Sequence, residues 1–407
     1  MKKTRIIAFL LFFTSYLILS FCMINCQNYR SKSIPYDYYY LQYQSIYYFN
    51  HQDQSTSLLL SIPETYEILK MTLSPSQKTF AFTVKKDSQT ILFFADADGS
   101  NMRRITQGLW LQFSWSPTND QLCYIKMEEN ASYLYLLSEF SSNPELVTQA
   151  DFFEWSPHGL YICLIQKYEQ HTESFILRND NTGLRFISHD KFLGWSSDGQ
   201  FMYYYHELDD DNYLQVVQYD GTLWDTFHLN QPQQIKFRNS PTTNATFFHI
   251  NKDSMPQVMA YYPHEKKWEL PSDQSLMNFF SSPFGAEKWE LYIESVETIQ
   301  KLILFSNQVE QDLLQGEYIE FISFSPDEMQ LICSNKTASH QTVYYVNPKD
   351  KMMELVGSAE QVGQIAWHPD STRFAIHLDQ ALLLFSMEKN IIVKLMDNAS
   401  FISWKKI

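Results

Sequence analysis

Positive charge is in short supply. The chain has 31 Lys and Arg against 46 Asp and Glu, a net charge of −15, with no basic cluster. Phosphate binding needs clustered Lys and Arg, so a nucleic-acid partner is excluded. Catalytic signatures are missing as well. There is no Gly-x-Ser-x-Gly nucleophile elbow, no phosphate loop and no Cys-x-x-Cys pair. The 11 His are scattered without a His-x-x-x-His spacing, so no zinc site, other metal or cofactor is expected. No catalytic residue can be named, and the chain reads more readily as a binding protein than as an enzyme. No helical period is long enough to suggest a second domain, and no low-complexity tract marks a linker. Of five Cys, two (Cys22 and Cys26) lie near the N-terminus. The others, Cys123, Cys163 and Cys333, occupy matching places in a repeat and read as small buried residues, poorly placed for disulfides.

What the chain does have is a beat. Leu73-Ser74-Pro75 precedes the apolar run Phe80-Ala81-Phe82. Trp115-Ser116-Pro117 precedes Leu122-Cys123-Tyr124, and Trp155-Ser156-Pro157 precedes Tyr161-Ile162-Cys163. Trp195-Ser196, Phe324-Ser325-Pro326 and Trp367-His368-Pro369 repeat the pattern. The first four Ser stand 42, 40 and 40 residues apart. The long gap before Ser325 then has room for two weaker beats, Asn239-Ser240-Pro241 and Ser281-Ser282-Pro283. Each unit continues with a second apolar run (Thr90 to Phe94, Tyr133 to Leu137), a polar turn such as Asp96-Ala97-Asp98-Gly99, and a short closing strand such as Arg104-Ile105-Thr106. Four short strands in roughly 40–45 residues make a propeller blade. Aromatics, 16% of the chain, suit packing between blades.

The two ends of this all-β region explain each other. Asp37 to Tyr43, Ser45 to Phe49 and Ser57 to Ile62 read as three strands that no beat introduces. Ser400 to Trp404 matches the strand before a beat, and then the chain ends. Together they complete one blade and close the ring without an exposed edge. Strict counting gives nine blades. Because propellers typically have four to eight, the expectation is about eight, within seven to nine.

Residues 1–26 are set apart as a leader and residues 27–407 as the propeller. Lys2, Lys3 and Arg5 precede an apolar stretch from Ile6 to Phe21, the pattern of a signal peptide or an uncleaved anchor. Met23-Ile24-Asn25-Cys26 resembles a bacterial lipoprotein signal, in which the Cys is lipidated. It departs from that pattern at Asn25, where a small residue is usual. Lipidation at Cys26, simple cleavage and a retained anchor are all carried forward.

The repeats resemble the TolB-type (PD40, WD40-like) propeller repeat. That pattern runs Trp-Ser-Pro-Asp-Gly, an Ile-Ala-Phe-like strand, an Ile-Tyr-like strand, Asp-Gly and Arg-Leu-Thr. The first unit carries Ser74-Pro75, Phe80-Ala81-Phe82, Asp98-Gly99-Ser100 and Arg103-Arg104-Ile105-Thr106. The resemblance covers about 330 residues and is weak in units five and six. It departs in the turn: with only 11 Gly, most units lack the turn glycine. It implies a fold and little about function. Neither the extra N-terminal domain of TolB nor the hydrolase domain of prolyl-oligopeptidase relatives is seen. Two functions follow as expectations. One is an exported, membrane-tethered, non-catalytic scaffold for a protein partner in the cell envelope, periplasmic or outer-membrane-associated if bacterial. The alternative is an enzyme or small-ligand binder using the central channel, which a funnel lined by His and carboxylates would favour. Two local features are weighed for cations: Asp96 to Asn101, a faint calcium-loop pattern, and His206-Glu207 followed by Asp209-Asp210-Asp211. Both read first as solvated turns.

Overall fold

The structure is a computed structural model. It describes residues 37–128, 131–137, 143–169, 171–208, 211–229, 235–240, 243–252, 255–269, 279–281, 289–296, 299–306, 309–387 and 391–405. Cys26 and the rest of the leader lie outside them.

Nine four-stranded antiparallel sheets stand in a ring, a β-propeller. The count is nine rather than eight, because both weak beats head whole blades and the chain ends build one more. In each blade the strands run outward in order, here a (inner) to d (outer). Blade 2 is Glu67–Leu73, Thr79–Lys86, Gln89–Asp96 and Arg103–Gly108. Blade 4 is Phe152–Trp155, Tyr161–Lys167, Thr172–Arg178 and Arg185–Ser188. The weak beats head blades 6 and 7, whose a strands are Lys236–Asn239 and Phe279–Ser281.

Blade 1 is the composite. Its a strand is the C-terminal Ala399–Trp404, and its other strands are Tyr38–Gln42, Ser45–Asn50 and Ser55–Ser61. Tyr38 pairs with Trp404 and Tyr40 with Phe401. The two ends share one aromatic core, in which Tyr38, Tyr40, Phe49, Phe401 and Trp404 pack on Ala375, Leu382 and Leu384 of blade 9. Closing the ring this way removes the two inner edges that a linear array of sheets would expose.

Antiparallel pairing sorts the connections onto two faces. The a–b and c–d turns lie on one side, here the Ser-Pro face. The b–c hairpins and d–a links lie on the other, the hairpin face. A β-bulge interrupts the c–d pairing in every blade except the sixth. Bulges add twist and blunt the outermost edge.

The beat itself is a turn that closes on its own serine. The amide of Ser74, Ser116, Ser156, Ser196 and Ser325 each donates to the carbonyl five residues on, at 2.8–2.9 Å. These serines are buried. In all of these turns but that of blade 3, the third residue after the serine takes a positive φ. Blades 4 and 5 place Gly159 and Gly199 there. A Cβ at Gly159 would also sit 2.5 Å from the hydroxyls of Ser116 and Thr118. Elsewhere non-glycine residues accept the left-handed conformation: Gln77, Glu328 and Ser371, with Asn244, one position later, in blade 6.

Each of those four side chains is used. Gln77 Nε2 donates to the carbonyl of Trp404 (2.6 Å), joining blade 2 to blade 1. Asn244 Oδ1 accepts from Ser197 Oγ (3.3 Å), joining blade 6 to blade 5. Glu328 accepts from Arg238 (2.7 Å) and Ser240, reaching from blade 8 to blade 6. Ser371 Oγ accepts from the amide of Asp327 (3.0 Å), joining blade 9 to blade 8. The left-handed conformation costs roughly 1–2 kcal/mol without glycine. Here it puts a hydrogen-bonding side chain where glycine has none. With Ser76 on Asp120 and Thr118 on the His158 carbonyl, these bonds form a belt around the Ser-Pro face.

Candidate functional site: the hairpin face

On the Ser-Pro face the belt engages polar side chains of the a–b turns with neighbouring blades. Two other places where a partner or ligand could be met are the inner strands around the axis and the hairpin face.

The inner strands offer little convergent chemistry. Among the described residues they carry no histidine, and their carboxylates, Glu67, Glu154 and Glu320, sit in three separate blades. Two residues before the beat Ser (His368 in blade 9), blades 2 to 9 place Thr72, Ser114, Glu154, Gly194, Arg238, Phe280, Ser323 and Ala366, mostly small or hydroxylic. The two charged members differ in their surroundings. Arg238 is held by Glu328 and lies over the rings of Phe247 (4.7 Å) and Phe324 (4.5 Å), a cation enclosed by π faces. Glu154 stands opposite Cys163 in the blade 4 sheet, and burial pushes its carboxyl up to about 7. Lys70 donates to the carbonyl of Phe113 (2.8 Å), and burial lowers its pKa. A single acid of raised pKa with no histidine beside it is not an acid–base pair.

The hairpin face is different. Leu109 and Trp110, on the link from blade 2 to blade 3, are 51% and 43% exposed. Met127, near the end of the blade 3 hairpin, is exposed beside them, and its amide donates to the Trp110 carbonyl (3.0 Å). Tyr43, Tyr168, Ile299 and Tyr318 are exposed on the same side in other blades. The Ser-Pro face has exposed apolar side chains as well, Met102, Leu160, Leu184, Tyr219, Leu223 and Val309, so the mark of the hairpin face is the adjacent group Leu109, Trp110 and Met127, an apolar patch of the kind found at interaction surfaces.

The same face carries histidines that pairing brings together. In blade 4, Ser174 pairs with Ser188, so Glu173 stands beside His189, which follows the d strand. His171 and Glu173 are two residues apart and share a side, as strand periodicity requires. His171 Nε2 lies 3.5 Å and His189 Nδ1 3.7 Å from Glu173 Oε1. A scan for helical His-x-x-x-His spacing cannot find this group. Its signal is His-x-Glu entering one strand and a His closing the next.

The sequence candidates fall as follows. Cys26 lies outside the described residues. In the Asp96 to Asn101 turn the carboxylates serve the turn itself: Asp98 accepts from the amide and hydroxyl of Ser100, and Asp96 from Asn101. His206 Nδ1 lies 2.7 Å from Asp190 Oδ1, and its ring stacks on Tyr213. Glu207 is exposed, and residues 209–210 lie outside the described set. Cys123, Cys163 and Cys333 are free and fully buried, and burial raises their thiol pKa values, that of Cys333 to about 12. A buried thiol kept protonated is a packing residue.

Among solved structures, the chain is similar to a eukaryotic initiation factor. The TM-score is 0.60 at 9% identity, over 90% of this chain and 98% of that one. It is also similar to dipeptidyl peptidase 4 from Porphyromonas gingivalis, with a TM-score of 0.54 at 10% identity over 88% of this chain and 64% of that one. TolB from Acinetobacter baumannii aligns at a TM-score of 0.37 and 11% identity, over 90% of this chain and 83% of that one, too low to argue from. At these identities the likeness is one of fold. No family model matches the sequence, and no curated protein matches it.

Proposed function

We propose that this propeller is a non-catalytic scaffold, exported and held at a membrane by its leader, that presents its hairpin face to a protein partner of the cell envelope. The supporting observation is an opposition of faces. Strand b of blade 1 starts at the Ser-Pro face, so the chain joins the ring there at Asp37. Asp37 is fastened on that side by the amide and ring of His51, by Tyr48 and by Lys405. The exposed Leu109, Trp110 and Met127 lie on the opposite side. A tether through the leader would leave that side facing outward.

A photo-crosslinking amino acid at position 110 tests this in cells, with one at the Ser-Pro face, position 98, as the control. The expected result is a discrete adduct from position 110 only, abolished by Met127→Glu. Adducts of equal yield from both faces, or from neither, would remove the support for an outward binding face.

A further inference from the structure

We infer that His171, Glu173 and His189 form a binding site for a divalent transition-metal ion of the zinc class. Their three ligand atoms lie within 4.8 Å of one another. Zinc bonds of about 2.0–2.1 Å set neighbouring ligands of a tetrahedral site about 3.4 Å apart. Two of the three separations, 3.5 and 3.7 Å, are already close to that value. The third closes by turning two imidazole rings that are partly in solvent.

The surroundings favour a metal over a simple ion-pair cluster. An exposed His–Glu pair contributes about 0–1 kcal/mol, little reason to gather two histidines on one carboxylate. The rings of His171 and His189 are 5.5 Å apart, so two imidazolium charges there would repel. A cation between neutral rings turns that repulsion into ligation. Both rings rest on an aromatic neighbour: His171 stacks on Tyr168 (4.8 Å) and His189 packs on Phe186 (4.6 Å). The Tyr168 hydroxyl donates to Gln166 Oε1 (2.9 Å), which holds the ring that His171 stacks on. Imidazole ligands select zinc-like ions over calcium and magnesium, which prefer all-oxygen sites. Three protein ligands leave a fourth position open to solvent on the hairpin face.

This goes beyond the scaffold reading and stands without it, since it is tested on the isolated chain. The tag-free full-length protein is titrated calorimetrically with Zn²⁺, with Mg²⁺ and Ca²⁺ as controls, and separately with Co²⁺ by visible absorption. The expected result is one equivalent of Zn²⁺ and the d–d bands of four-coordinate Co²⁺. His171→Ala and His189→Ala should each weaken binding by at least about tenfold, the two together should abolish it, and Glu173→Gln should weaken it by about tenfold. His206→Ala, which alters the neighbouring Asp190 pair, should change nothing. Far-UV spectra of the variants should match the parent, because the ligands are surface groups. The inference is overturned by the absence of a Zn²⁺ isotherm in the parent, by full binding in His171→Ala/His189→Ala, or by an equal loss in His206→Ala.

Discussion

The indole Nε1 of Trp404 donates to the carbonyl of Ala366, 3.2 Å away and one blade back. The same reach recurs. Trp155 donates to the carbonyl of Ser114 (3.3 Å), and Trp367 to the hydroxyl of Ser323 (3.0 Å). In three blades the tryptophan of the beat, Trp155, Trp367 and Trp404, therefore packs and also ties its inner strand to the one before it, at the position two residues ahead of the beat turn. At Trp404 this tie has no later blade behind it. It secures the seam where the chain's two ends meet.

Trp404→Ala should destabilise the protein by about 3–5 kcal/mol, the range for removing a large buried aromatic. Removing residues 398–407 should do more, because Tyr38–Gln42 would lose its inner partner and present an open edge. Urea unfolding of both variants measures this. A midpoint for the deletion equal to that of the parent would refute the assignment of the seam.

The left-handed residues divide into two kinds that mutation can separate. Asp87, in the blade 2 hairpin, has φ 54 and an exposed side chain. Asp87→Gly should raise stability by up to about 1 kcal/mol through relief of backbone strain. Gln77, at φ 59, carries the bond to the Trp404 carbonyl. Gln77→Gly gives the same relief and loses that bond, worth about 0.5–1.5 kcal/mol, so no net gain is expected. Equal gains at the two positions, by urea midpoint, would show that the belt contributes nothing.

Much of this was legible in the sequence, for a physical reason. The Ser-Pro beat survives because its geometry demands it: a buried serine closes the turn, and a strand follows at fixed spacing. The units from Ser74 to Ser196 carried the period plainly, and the chain ends betrayed the composite blade because Phe401 and Trp404 repeat an inner-strand pattern. The weak beats, where Asn239 and Ser281 stand in place of the aromatic, still count, and the expected number falls from nine to eight only because propellers typically have four to eight blades. The shortage of glycine read as a departure from the repeat. In three dimensions Gln77, Glu328 and Ser371 use the glycine position to reach neighbouring blades. The grouping of His171, Glu173 and His189 was hidden because it depends on which residues of adjacent strands pair, and spacing along the chain does not record that.

Glu154 gives the protein a pH dependence with a definite sign. Burial raises its carboxyl from 4.5 to about 7. The folded state therefore holds this proton more tightly than the unfolded chain does. Below the unfolded value both states are protonated and nothing is lost. As pH rises from there to about 7, the unfolded chain ionises freely while the folded one resists, and stability falls. Above 7 the full penalty is present, roughly 3 kcal/mol. Glu154→Gln should match the parent near pH 4, where both carry a neutral side chain, and exceed it by about that amount at pH 8. Urea midpoints at the two pH values test it. A difference that does not grow with pH would show that Glu154 is not the group responsible.

The last prediction concerns the tether. Asp37 is fixed at the Ser-Pro face, and only ten residues, 27–36, separate it from the leader. Ten extended residues span at most about 35 Å, so an anchored ring would stay close to the membrane with its hairpin face turned away. A Cys at the end of the leader suits lipid attachment, whereas Asn25 is larger than the residue such signals usually place there. Cys26→Ala should lose incorporated lipid label and leave the membrane fraction if the lipid is the anchor. If that variant stays membrane-bound with its leader uncleaved, the leader itself is the anchor and the lipid reading is wrong. If the parent is recovered processed and free of the membrane, an ordinary signal peptide is at work and the outward orientation loses its basis. In either anchored case, protease added from outside should cut at the hairpin-face link beside Trp110 sooner than at the Asp98-Gly99 turn of the Ser-Pro face.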